Sequence, residues 1–487
     1  MSGRQAIGNE RLIPRRAEEI RTWNVEADVV IVGYGIAGAA AAAEASLVGA
    51  DTVVLDRAGG WGGASALASG FVYLGGGTAV QKACGFDDDP DEMFKFLVAA
   101  LGPGADERKI RLYSDESVEL YEWLVALGVP FNHSYYGEPG WSPYGGAGLM
   151  YCGGENAWPY NQIARPAPRG HHPPLHEGGG RLIVEPIVRQ AERHGAKAIY
   201  NARVDSLNVD RDHRVVGLVA RRFGEEMLVR ARKGVVLAAG TFIYNDQMML
   251  MHAPLMLGRP ESAVQEHEGG GILAAQASGA AVAHMDACEV SAAVDPPVVA
   301  RGIVVNGVGQ RFVNEDTYGG RISQLLLFHQ DNLGFAIVDE RCMEEADRHP
   351  RVRTSTNPPT SVCATLAELE KEIGLPPGSL EATVGLYNRH AANGEDPMFH
   401  KDPRWLRPLE APFGAYRISD RTGGFTIGGL CTTVDAEVLH VGGDPIPGLY
   451  AAGRTASGIS AWGYVSGASL GDGAFFGRKA GRAVARG

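Results

Sequence analysis

The first residues in this chain whose types and spacing could do chemistry are glycines. Gly33-Tyr-Gly35-Ile-Ala-Gly38 has the G-x-G-x-x-G spacing that lays backbone against a pyrophosphate. In that pattern Gly33 permits the tight turn, Gly35 lets the chain approach the phosphates and Gly38 lets the following helix lie close to its strand. Ile36 and Ala37 open that helix and offer N–H groups with a positive dipole. Spacing alone says little here, because 66 of 487 residues are glycine and three fixed glycines recur by chance on the order of once in such a chain. Position decides the matter. The motif sits between an apolar β-branched run, Asp28 to Val32, and an alanine-rich helix, and the next strand, Thr52 to Leu55, ends at Asp56. A carboxylate there suits an unphosphorylated ribose, which disfavours NADP.

Residues 57–78, RAGGWGGASALASGFVYLGGGT, are too long and too rich in Gly, Ala and Ser for an ordinary connection. They suggest backbone laid against a flat ligand, with Ser65 and Ser69 as hydroxyl donors. His171, His172 and His176 lie beside Pro173-Pro174 without a partner at a recognised ligand spacing, so they read as a loop and no metal is assigned. The six cysteines form no C-x-x-C pair, which points to neither zinc nor an iron–sulfur cluster and suits a reduced, cytoplasmic setting. A net charge of −12 disfavours nucleic acid as a partner. The longest apolar stretch, Val29 to Ala43, is interrupted by glycines and stopped by Glu44, so no transmembrane segment is expected.

The elements that must position these residues begin with the β-α-β unit around the glycine motif. Further strands are expected at 198–200, 215–220 and 234–238, the last a two-sided apolar run, with a helix over 182–195 between the first β-α-β unit and them. From about Ala283 to Ala411 small residues thin out. A strand and Asn-Gly turn are expected at Ile303-Val-Val-Asn-Gly, and helices at 366–373 and 380–392. The organisation expected is a discontinuous α/β domain, 1–282 with 412–487, and an inserted domain at 283–411. The glycine clusters at 33–38, 59–77, 423–429 and 453–473 are expected to lie against a cofactor.

GYGIAG at 33–38, GGASALASG at 62–70, VVLAAGTF at 235–242, GQRFVNE at 309–315, and TGGFTIGGL with PIPGLYAAG at 422–453 together resemble the fumarate reductase and 3-ketosteroid dehydrogenase family of flavoproteins. The resemblance implies a Rossmann-like FAD-binding domain carrying an inserted α+β catalytic domain. It also implies non-covalent FAD, since the loop at 61–69 holds no histidine for covalent attachment. The implied FAD contacts are Gly33, Gly35, Ile36, Ala37, Gly38, Asp56, Arg57, Ser65, Ala66, Ser69 and Gly70, then Val204, Ala239 and Gly240, and finally Gly453, Ser469 and Leu470. A helix starting near Ser469 would point its N–H groups at the flavin pyrimidine. Arg454 follows LYAAG where many relatives have Glu.

Within this family the dicarboxylate reductases grip substrate with an HGxNRLGGN-like segment, where this chain reads SGISAWGYVSGASLG at 457–471. That tail offers no cation for a carboxylate, and it is most similar to 3-ketosteroid Δ4-(5α)-dehydrogenases, which desaturate between C4 and C5. The resemblance places Tyr464 on the substrate oxygen with an N–H near Ala468 as its partner, and Tyr318 with Ser466 as a relay for the α proton. A steroid-like ketone and an unidentified electron acceptor are the implied partners. Alternatives carried by the same motifs are a 3-ketosteroid Δ1-dehydrogenase, a fumarate reductase-like enoate reductase with Arg311 or Arg321 as acid, or a non-catalytic flavin-binding protein.

Overall fold

The computed structural model describes residues 12–175, 178–292, 295–348, 358–419 and 422–487. β1 (Val25–Val32) turns through Gly33 into α1 (Ile36–Leu47) and on to β2 (Thr52–Leu55), which is the β-α-β unit expected. Its apolar run is unbroken because both faces are covered. Val29 and Ile31 pack into one core while Val30 and Val32 pack into a second on the opposite side. A short helix, α2 (Gly63–Leu67), follows, and α3 (Gly179–Arg193) covers the first face before β3 (Lys197–Ile199) returns to the sheet.

β4 (Ala202–Val209), β5 (Val215–Arg222) and β6 (Glu225–Leu237) complete the sheet's body. β3, β2, β1 and β6 run parallel, whereas β6, β5 and β4 pair antiparallel. Polar residues hide β4 from a pattern reading: Asp205 is buried, and takes Arg203 at 3.0 Å and Arg221 at 3.2 Å. Val204, expected after a strand, lies within this one.

The middle of the chain builds a separate antiparallel sheet. β7 (Cys288–Ser291) precedes it; β8 (Ile303–Asn306), α4 (Gly319–His329), β9 (Gly334–Asp339), β10 (Ser361–Cys363) and β11 (Phe413–Arg417) follow, with strand order β8-β9-β11-β10. After Asn306-Gly307 the chain turns, but β8 takes β9 as its ladder partner and touches the return chain through a single bridge, Val305 to Arg311. β11 lies past the expected limit at 411 and pairs with β9 and β10, so this sheet reaches Arg417. Its own core includes Ile303, Phe335, Ile337, Leu369 and Leu380.

β12 (Gly423–Thr426) pairs with β7, and β13 (Pro445–Ala451) adds a parallel strand beside Val235–Leu237 of β6. The glycines at 423–429 therefore do other work than expected. A side chain at Gly423, Gly424, Gly428 or Gly429 would collide with the carbonyl oxygen of Pro260, Glu289, His284 or Thr455 respectively. They bring backbone to backbone, not backbone to cofactor. The last helix, α5 (Ala468–Arg486), lies on α1 through Gly473, Gly477 and Gly481, spaced one turn apart against Ile36, Ala37, Ala40 and Ala41.

Candidate active site

A cavity of about 1640 Å³ opens at the C-terminal ends of β1, β2 and β6. It exceeds the ~300–1,000 Å³ of ordinary small-molecule pockets, so a dinucleotide and a second molecule fit together. The turn at Gly33 has φ +96°, and a side chain there would strike the Ala238 carbonyl. Gly35, Ile36 and Ala37 line the cavity beyond it. Ser65 Oγ accepts the Ile36 N–H at 3.2 Å, which leaves its own proton to donate. Asp56 accepts the N–H groups of Tyr34 at 2.6 Å and Ala58 at 2.7 Å, which fixes the carboxylate at the cavity wall. Burial raises its pKa against those bonds.

Ala66, Ser69, Val204, Ala239, Gly240, Gly453, Ser469 and Leu470 also line this space. Arg57 lines it too, but its guanidinium is shared with Glu268 in a two-bond ion pair, at 2.5 and 3.2 Å. Two expected contacts do not reach the cavity. Gly38 lies beneath the motif, where a Cβ would overlap the Gly33 carbonyl, and Gly70 (φ +113°) packs against Gly179 at the start of α3. Arg454 supplies an unexpected donor: its Nη2 binds Asp472 at 2.6 Å while its buried Nε has no partner among the described residues. A glycine cradle at a helix start, a fixed carboxylate after the next strand and an unpaired donor across the space fit FAD.

The other end of the cavity brings Tyr318 together with Tyr464 and Ser466, which follow it in sequence by 146 and 148 positions. Tyr318 stands at the N-terminus of α4, and its hydroxyl lies 3.0 Å from Ser466 Oγ. Ser466 is held by the backbone, its N–H donating to Cys152 O at 3.1 Å. Tyr464 reaches in from the same loop; its hydroxyl donates to Ser469 Oγ at 3.0 Å and accepts the Ser469 N–H at 3.3 Å. Phe425 of β12 holds the Tyr464 ring edge-on, 5.6 Å between centroids. Burial pushes Tyr464 up to about 12, against the Ser469 hydrogen bond. Burial also lifts Tyr318 well above the usual phenol range, and negative charge at Glu289 and Tyr464 adds to the effect.

Ala468 does not join them. It is fully buried away from the cavity and its N–H donates to Val465 O at 3.1 Å. The N–H beside the Tyr464 hydroxyl belongs to Ser469, one residue further along α5. Arg311 is held away by Glu315 and Asp396 at 2.8 Å each, and Arg321 turns to Asn314 at 3.1 Å. His171 is buried with Thr78 Oγ1 at 2.8 Å and Arg169 O at 3.1 Å, and burial drops its pKa to about 4. His172 bonds Pro173 O at 2.6 Å, and His176 lies outside the described residues. Sequence reasoning misses Trp141, His267, Glu289 and Phe425, all of which line the cavity. Phe425 falls within TGGFTIGGL without being singled out there, and Trp141, His267 and Glu289 belong to no motif, so the fold reveals their place.

The sequence matches the FAD binding domain family over residues 28–470. The structure is similar to the crystal structure of 3-ketosteroid-Δ4-(5α)-dehydrogenase from Rhodococcus jostii RHA1 in complex with 4-androstene-3,17-dione, at 55% identity, 97% and 99% coverage of the two chains and a TM-score of 0.95. It is 28% identical to a 3-oxosteroid 1-dehydrogenase of Mycolicibacterium smegmatis, covering 89% of this chain and 92% of that one. A cytochrome-linked fumarate reductase of Shewanella frigidimarina is 26% identical over 94% and 77% of the two chains. Among the described residues no helix is long and apolar enough to cross a membrane. With the glycine cradle, the carboxylate that follows β2 and a match spanning most of its length, the chain belongs to the FAD binding domain family and is a flavin-dependent oxidoreductase.

Proposed function

We propose that this protein is an FAD-dependent 3-ketosteroid dehydrogenase that introduces a double bond between C4 and C5 of a 5α-3-ketosteroid. The observation that carries the reading is the 3.0 Å contact between Tyr318 and Ser466, made across two chain segments in the cavity that also holds Tyr464. Bound FAD, held non-covalently, supplies the acceptor for the hydride that leaves C5. The chain's own residues handle the proton and the oxygen. Tyr464 redirects its hydroxyl from Ser469 to the substrate carbonyl and stabilises the enolate as the C4–H bond breaks. The proton from C4 passes to the Ser466–Tyr318 pair, because a serine or a high-pKa phenol alone is a poor base and a hydrogen-bonded pair shares the load.

Each arginine lining the cavity already has its charge matched by a carboxylate, Arg454 by Asp472, Arg57 by Glu268, Arg203 by Asp205 and Arg181 by Glu185, so none stands as an uncompensated cation for a substrate carboxylate. That supports a ketone over a dicarboxylate. The inserted catalytic domain, expected to end at 411, is drawn to include β11. We place the protein in the cytoplasm on the cysteine usage of its sequence, with an external electron acceptor completing the cycle.

Anaerobic mixing with a 5α-3-ketosteroid should bleach the flavin and yield a C4–C5 enone. Reoxidation of the reduced protein by fumarate but not by a steroid enone would instead establish the reductase alternative. Ser466→Ala is expected to lower turnover about 10²-fold with steroid binding retained, as loss of one member of a proton relay does. Single-turnover flavin reduction beside a binding titration checks this.

A further inference from the structure

Glu289 belongs to β7, opposite Phe425 of β12 in the antiparallel register, so the two side chains leave the ladder on the same face. That face is the cavity, and Phe425 is the ring that braces Tyr464. Glu289 is buried, 7% exposed as a residue, and lines the cavity. No hydrogen bond or ion pair reaches it among the described residues. It fits only because Gly424 has no side chain, since a Cβ there would lie 2.7 Å from Glu289 Oε2. A buried carboxyl without a partner is costly in either state, most of all when ionised. Such a group at a binding cavity is completed by what binds there.

Resting on the steroid reading above, we propose that Glu289 binds as the neutral acid, donating a hydrogen bond to an oxygen of the bound steroid, and that its ionisation weakens binding at alkaline pH. An ionised carboxylate would face an apolar ligand, a forming enolate and a reduced cofactor, all of which disfavour negative charge. Burial already pushes the carboxyl up to about 8. The charged and titratable groups that share its cavity or sit on elements packed against β7 include Cys288 on its own strand, Tyr318 at the start of α4 with Arg321 and His329 along that helix, Glu261, Glu266 and His267 across the cavity, and Tyr464 on the tail. β12 contributes none. Cys288 and Tyr464 are each pushed up to about 12 and burial lifts Tyr318 well above the usual phenol range, so a change near pH 8 does not belong to them.

The sign follows from which form binds. Below about pH 8 the donor is present and affinity is flat; above it each pH unit removes roughly tenfold of the binding-competent form. The holoenzyme is titrated with 4-androstene-3,17-dione from about pH 7 to 9.5, following the flavin absorbance. The dissociation constant should rise along that limb in the parent. Glu289→Gln, which keeps a donor that cannot ionise, should bind roughly fivefold more weakly at neutral pH and show no alkaline rise. An infrared band of a protonated carboxyl that shifts on ligand binding should be present in the parent and missing in the variant. A pH-independent dissociation constant in the parent, or the same alkaline rise in the Gln variant, overturns the assignment. A steroid that fails to perturb the parent's flavin at any pH overturns the steroid reading itself, and this inference with it.

Discussion

Tyr464→Phe is expected to lower turnover of a 5α-3-ketosteroid by about 10²–10³-fold, the loss seen when one donor to a developing oxyanion is removed. The purified protein should remain yellow. The argument rests on what the substitution leaves in place. The ring sits edge-on to Phe425, and a phenylalanine keeps that contact. Among the described residues the hydroxyl hydrogen-bonds Ser469 alone, through its N–H and its Oγ. Removing it frees both Ser469 groups for water without disturbing α5, whose start is secured by the Ala468 N–H on Val465 O. The effect should therefore fall on the chemical step, with flavin content unchanged and steroid affinity altered far less than the rate. Flavin reduction in a single turnover, beside flavin absorbance per protein, separates these outcomes. A variant that reduces its flavin at the parental rate would remove Tyr464 from the oxyanion role and leave Ser469 or Glu289 to take it.

The parts of this site that could be read from sequence are those whose geometry is local. The β1-turn-α1-β2 unit carries its own instructions: a run buried on both faces, glycines at a forced turn, and a carboxylate at the end of the next strand. Asp56, Ser65 and the Gly33 turn accordingly stand where expected. Tyr318, Tyr464 and Ser466 were reachable only through family resemblance, because nothing in residues 318 and 466 announces that a fold brings their hydroxyls to 3.0 Å. Ala468 shows the limit of that route: a helix start shifted by one residue hands the N–H to Ser469. Glu289 was not legible at all. Its segment, Cys-Glu-Val-Ser, is a short, unremarkable strand, and its meaning depends on the room that the missing side chain of Gly424 leaves on a distant strand. Composition misled in the same place. Glycines at 423–429 look like those at 33–38 in a count, yet they serve strand contact while the earlier ones serve a turn and a cradle.

Gly38→Ala is expected to yield protein without flavin and to cost about 3 kcal/mol or more of stability, at or beyond the upper end for overpacking a core. No rotamer can relieve the clash, because the obstacle is main chain. A Cβ at Gly38 would overlap the Gly33 carbonyl oxygen and lie 3.0 Å from its carbon, with Ile31 Cγ2 at 3.4 Å. α1 would have to retreat from the turn, and it is pinned from behind, where Ala37, Ala40 and Ala41 receive Gly477 and Gly481 of α5 without a gap. Either the Gly33 turn opens or the two helices separate. Both move the Ile36 and Ala37 N–H groups away from the cofactor phosphates. Gly385→Ala provides the opposite sign from the same substitution. Gly385 lies inside the helix Ser379–Ala391 with nothing within 4 Å of its Cβ position, so alanine should stabilise by up to ~1 kcal/mol through helix propensity. Thermal unfolding and flavin absorbance per protein measure both. A Gly38→Ala protein with parental flavin content would mean that α1 can move while the cradle holds, and the close approach at Gly38 would then not be what sets the FAD site.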